Sequence, residues 1–171
     1  MRRISLLACL VLLSATVLSA CGSKTVTSTD SAGNVSTKTV PNVHFAKTKF
    51  VLHTGLAIGA FKRYIANPLQ DGGFGKGSPK RKRTIAKAVI AGGFILHELK
   101  QARDAAQSDD KLRGLGDKLG NVTDKLKAMV PSFASGNLDA GAVTGVLGGF
   151  GGISSAADAL GATIKERAPA L

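Results

Sequence analysis

The chain has no tryptophan, one tyrosine and two cysteines. With so few aromatics and no recognisable motif, nothing in it points to nucleic-acid binding. Both cysteines, Cys9 and Cys21, lie near the start, so the stretch after Cys21 can hold no disulfide, no cysteine metal site and no cysteine nucleophile. Acidic residues are few, 11 against 23 lysines and arginines, and Asp109, Asp110, Asp117 and Asp124 recur as a solvated pattern along one helix. Catalytic signatures are missing too. His97-Glu98 begins like HExxH, but Gln101 stands where the second histidine belongs. Lys76-Gly77-Ser78 is not the Gly-Lys-Ser/Thr of a phosphate loop, and there is no Gly-x-Ser-x-Gly elbow. The chain is therefore expected not to be an enzyme.

The N-terminus carries the strongest positive signal. Arg2 and Arg3 precede an apolar run from Ile4 to Leu18, too short to span a bilayer, which ends in small residues before Cys21-Gly22. That is the layout of a secretory signal peptide. Leu18-Ser19-Ala20-Cys21 resembles the lipobox of bacterial lipoproteins. The resemblance implies cleavage before Cys21, diacylation of its thiol, and a protein held by lipid on the outer face of the cell membrane. The alanine- and glycine-rich remainder is similar to small lipoproteins of high-GC Gram-positive bacteria, a resemblance to which no activity attaches. The expected organisation is a signal peptide at 1–20, a lipidated cysteine and tether at 21–43, and a helical domain at 44–171. The formal charge is +12, and +10 once Arg2 and Arg3 are removed. So large an excess favours anionic partners, which outside the cell means anionic lipid, wall polymer or a protein.

Residues 22–40 are rich in serine and threonine and read by default as a flexible spacer. An alternative is a β-hairpin, because two β-branched runs, Thr25–Thr29 and Val35–Val40, flank Asp30-Ser31-Ala32-Gly33-Asn34.

Four helices are expected beyond the tether, giving an all-α class and a small bundle. The first runs from just after Pro41-Asn42 to before Asn67-Pro68. Phe50, His53, Ala57, Ala60 and Tyr64 form its stripe, and Gly55 and Gly59 form a GxxxG step. The second starts at Ser78-Pro79, after a glycine-rich loop, with a stripe of Ile85, Val89, Gly92, Leu96, Leu99 and Ala102. The third starts at Ser108-Asp109-Asp110 and ends at Pro131, with an Asp109–Arg113 pair on its wet side. Its seven-residue repeat places Leu112, Leu115, Leu119, Val122, Leu126 and Met129 on one seam. The fourth runs from near Asn137 to before Pro169, with Val143, Val146, Phe150, Ile153, Ala157, Leu160 and Ile164 on its stripe. Its glycines should melt it at about 1 kcal/mol each unless close packing compensates. A break near Gly148–Gly152 is an option.

Three constellations bear on function. Lys62, Arg63, Lys76, Lys80, Arg81, Lys82 and Arg83 make one end of the bundle basic. Cations at a helix start oppose the helix dipole, so contact with anionic lipid or wall polymer is the leading expectation. Gly141, Gly145 and Gly149 offer a close-packing face within the bundle or against a partner. Residues 140–157 are also uncharged, at the lower length limit for a membrane span, so a glycine-zipper insertion is an alternative. His53 with His97 or His44 would be needed for a haem or metal site, the other alternative; the leading reading needs no cofactor.

Overall fold

The computed structural model describes residues 23–29 and 35–171. The expected signal peptide, Cys21 and the turn at 30–34 lie outside the described residues. Strand β1 (Ser23–Thr29) pairs antiparallel with β2 (Val35–Pro41). The tether is thus a hairpin in register Thr25↔Thr39 and Thr27↔Thr37, with Thr25, Thr27, Val35, Thr37 and Thr39 exposed on one face. β-Branched residues opposite one another suit a pleated surface.

The remainder, Val43–Leu171, is a separate compact unit and an all-α bundle. Its first rod is α1 (Ala46–Phe61), a π-helical turn (Lys62–Ala66) and α2 (Asn67–Gln70) in direct succession. Then follow α3 (Arg81–Ser108), α4 (Arg113–Ser135) and α5 (Ala140–Ala159). Contacts between the first rod and α3 run in opposite directions along the two: Val43 to Ser108, His53 to Glu98, Tyr64 to Lys87. The pair is antiparallel. α3 and α4 are antiparallel as well, since Gly92 meets Phe133 near one end and Gln107 meets Gly116 near the other. α5 returns along α4 with Gly149 against Val122, and its Phe150 meets Phe61 of α1 edge-on at 5.7 Å.

The heptad seam of α4 is buried at every expected position from Leu112 to Met129, with Phe133 continuing it. α3 lies between α1 and α4 and is lined with small residues. Ala88, Ala91, Ala102, Ala105 and Ala106 are all within 1 % of full burial, so neighbouring backbones come close on two sides.

Several expected boundaries shift, each for a local reason. Asn67-Pro68 does not end the first rod. The π turn widens the helix just before Pro68, where an α-helical ring would strike the Tyr64 carbonyl. α3 starts at Arg81 rather than Ser78, with Lys80 at its cap and no side-chain cap bond. Its stripe omits Val89, which is 46 % exposed. Pro131 lies inside α4, on its exposed side, where the carbonyl that loses its partner faces water. Phe133, buried against Gly92, holds the turn beyond it, and the helix stops at Gly136 in the left-handed conformation. Asp109 caps Lys111 and Leu112 through its Oδ1, and Arg113 pairs with Asp110 instead of Asp109, because the helix begins only at Arg113. α5 runs unbroken through Gly148–Gly152 but stops at Ala159. There Gly161, at φ +68°, reverses the chain, and Ala162 N–H donates to Ala157 O and Gly161 N–H to Asp158 O. This six-to-one and five-to-two pairing closes a Schellman motif.

Candidate anion-binding site

The π turn decides which residues meet at the end of the first rod. An extra residue in the turn lets Tyr64, Ile65 and Ala66 be buried in succession while Arg63 stays outside. The Tyr64 ring is 4 % exposed, and two cations lie 5.5 Å from its centroid, the Arg63 guanidinium and the Lys87 ammonium. Such contacts contribute about 0.5–1 kcal/mol each at exposed sites. Around them is a concavity of about 300 Å³ lined by Arg63, Tyr64, Pro68, Lys80, Arg83, Thr84 and Lys87. Four cations line it and no carboxylate does. Among the described residues none of the four pairs with an aspartate or glutamate side chain, although Lys87 Nζ is held by Leu171 O at 2.7 Å; Lys62, Lys100, Arg113 and Lys127 each have an acidic partner. The first turn of α3 adds no acidic side chain, so its dipole also presents positive charge here.

The structure brings together three of the seven cations expected at the basic end: Arg63, Lys80 and Arg83. Lys62 is paired with Glu166 at 2.6 Å. Arg81 is a structural clamp, its Nε donating to Phe74 O and its Nη2 to Ser135 O, both at 2.9 Å. It ties the glycine-rich loop to the C-terminus of α4, where a cation suits the dipole. Lys76 lines a different concavity, with Phe74, Leu138 and Asp139. Lys82 is exposed and outside the lining. Sequence reasoning missed Lys87, although its signal was present: Lys80, Arg83, Thr84 and Lys87 fall on one helical face.

The tail beyond Gly161 completes the neighbourhood. Tyr64 Oη donates to Pro169 O at 2.6 Å and accepts from Leu171 N–H at 2.9 Å, and Lys87 Nζ donates to Leu171 O at 2.7 Å. Upstream, Arg167 N–H donates to Gly55 O at 3.0 Å. The tail lies so close to α1 that a Cβ at Gly55 would stand 2.2 Å from Lys165 O, and one at Gly59 2.3 Å from the Arg167 carbonyl. The GxxxG step of the first helix thus receives an extended segment rather than a helix.

Of the glycines expected to pack on the fourth helix, Gly149 lies against Val122 Cγ2, 2.6 Å from where its Cβ would be. Gly145 has open space around it, and Gly141 meets only Asp139, the cap of its own helix. The expected face is therefore close-packed at one of its three positions. α5 is long and apolar enough to cross a membrane by length and composition, but Val143, Val146, Phe150, Ile153 and Ala157 face the core.

The histidines of the haem or metal alternative lie in different surroundings. His44 and His97 are exposed. His53 Nδ1 instead meets Glu98 Oε2 at 2.7 Å, with the carboxylate side chain 8 % exposed. No cluster of three potential metal ligands occurs among the described residues. Glu98 was legible as a polar residue on the buried period of Ala91, Ile95 and Ala102, facing the stripe that carries His53. The chain matches no protein-family model, no curated protein and no solved structure.

Proposed function

We propose that this is a lipid-anchored, non-enzymatic envelope protein whose helical domain engages an anionic surface through the basic face around Tyr64. The lipobox-like Leu18-Ser19-Ala20-Cys21 supports the anchor and the extracytoplasmic location. One observation carries the surface reading: Arg63, Lys80, Arg83 and Lys87 share a concavity that no aspartate or glutamate lines. Anchored at Cys21, the protein needs only a modest further attraction to orient itself. Each cation near an anionic surface contributes about 1 kcal/mol. Wall polymers bearing anionic groups would be bound by the same chemistry, and a protein partner would need an acidic surface.

The test uses the chain without 1–20 and with Cys21→Ser, so that binding does not depend on lipid. It should sediment with phosphatidylglycerol-containing vesicles at low salt, remain in solution with neutral phosphatidylcholine vesicles, and be released at high salt. The double change Arg63→Gln/Arg83→Gln should weaken binding by about thirtyfold, from two charges at about 1 kcal/mol each. Equal binding to both vesicles, or binding to neither, overturns the reading.

A further inference from the structure

We propose that the concavity around Tyr64 is a discrete site for a single phosphate group, a proposal that rests on the basic-face reading and narrows it from a charged surface to a pocket. Ligand pockets begin at about 300 Å³, so a concavity of about 300 Å³ has room for a phosphorylated headgroup or a free phosphate ester. Its chemistry is selective. Arg63 and Arg83 offer planar forks that match phosphate oxygens two at a time, and Lys80 and Lys87 add compact point charges. Three cations without an acidic partner, Arg63, Lys80 and Arg83, with Lys87 held by Leu171 O beside them, suit a group bearing up to two negative charges better than a lone carboxylate.

The polar groups that could compete are already engaged. Tyr64 Oη is used twice by the tail, and Thr84 Oγ1 donates to Lys80 O at 3.1 Å. The tyrosine is therefore the floor of the site and the cations are its ligands. Arg63 and Lys87 both lie over that ring, which leaves no aromatic face for a nucleobase to stack on. The recognised unit is the phosphate rather than a nucleotide. It could come from a lipid headgroup or from a soluble phosphate ester.

Tyr64 is the only tyrosine and there is no tryptophan, so intrinsic fluorescence reports on this site alone. The Cys21→Ser chain without 1–20 is titrated with inorganic phosphate and with glycerol 3-phosphate at constant ionic strength, with acetate as the comparison anion. The expected result is a saturable change with both phosphates, at least about tenfold weaker with acetate. Arg83→Gln should weaken phosphate binding about tenfold, the loss of a charge-assisted hydrogen bond. Arg83→Lys should weaken it less, and Lys76→Gln, outside the cavity, should leave it unchanged. Circular dichroism checks that each variant folds, and Arg83 is exposed.

Vesicles carrying phosphatidate or an equal charge of phosphatidylserine distinguish the sources, with a preference for phosphatidate marking a lipid phosphomonoester. Saturable phosphate binding without vesicle binding keeps the pocket, assigns it to soluble esters and removes the surface reading. Vesicle binding with a titration that is silent, or identical for acetate, overturns the pocket and leaves the surface reading standing. Loss of phosphate binding in Lys76→Gln equal to that in Arg83→Gln also overturns it.

Discussion

At the scale of single residues, the bundle buries one carboxylate and gives it one partner. Glu98 lies among Ile95, Leu99 and Ala102 on α3, and His53 Nδ1 reaches it from α1 at 2.7 Å. A buried acceptor deprived of its partner costs about 1–3 kcal/mol, whereas replacing both partners with apolar groups of similar shape can be nearly neutral. His53→Ala should therefore destabilise the domain by about 1–3 kcal/mol, and His53→Leu/Glu98→Leu should recover most of that. Urea denaturation of the single and double variants measures the difference. Equal losses in the two would show that the pair is incidental and that packing at these positions governs stability. A histidine on an apolar stripe also suggests a ligand, and a His-Glu dipeptide suggests a metalloprotease helix. What separates those readings from the pair found here is the alignment of α1 with α3, which no local pattern in either helix contains.

At the scale of elements, the informative unit is the extended tail that follows α5. Gly161 stops the helix and turns the chain back onto α1, where Gly55 and Gly59 leave a channel for its backbone. A GxxxG step states that something approaches closely; it does not state whether that is a helix or an extended segment. The difference depends on the Schellman stop at Gly161, which the heptad spacing of Leu160 and Ile164 masks. Gly59→Ala places a Cβ 2.3 Å from Arg167 C and O and 2.7 Å from Ala168 N, and backbone atoms cannot rotate away. Overpacking of this kind costs about 1–3 kcal/mol, partly offset by about 1 kcal/mol of helix propensity gained on replacing glycine with alanine. The bundle should stay folded while the tail detaches. Limited trypsin digestion followed by mass spectrometry should then show cleavage after Lys165 and Arg167 about tenfold faster than in the parent chain. An unchanged digestion pattern would mean that the tail does not depend on this channel.

At the scale of the whole molecule, the chain offers two candidate membrane anchors: the lipid expected at Cys21, and α5. The all-α class and the buried seams of α4 and α5 were legible because apolar side chains at a helical period must meet an apolar partner. Less legible were the central position of α3, whose burial rests on alanines with weak periodic contrast, and the pocket, which depends on a π turn before Pro68. Hydropathy alone leaves α5 ambiguous, since its uncharged glycine- and alanine-rich stretch meets the length of a span. Packing separates the alternatives. Val143, Val146, Phe150 and Ile153 are each within 4 % of full burial. At about 1.5–3 kcal/mol for each large apolar side chain, withdrawing α5 would forfeit about 6–12 kcal/mol and uncover Phe61 and Val122 on its neighbours. Insertion would rebury those four side chains in hydrocarbon, but it would not re-cover Phe61 and Val122, and the glycines, serines and alanines that make up most of α5 gain little on entering it. The Cys21→Ser chain, exported behind a cleavable signal peptide, should therefore be released completely from membranes by alkaline carbonate, while the lipidated parent should stay with them. Retention of the Cys21→Ser chain after carbonate would mean that α5 leaves the bundle and enters the bilayer, and that the packing of Phe150 against Phe61 belongs to only one of two states.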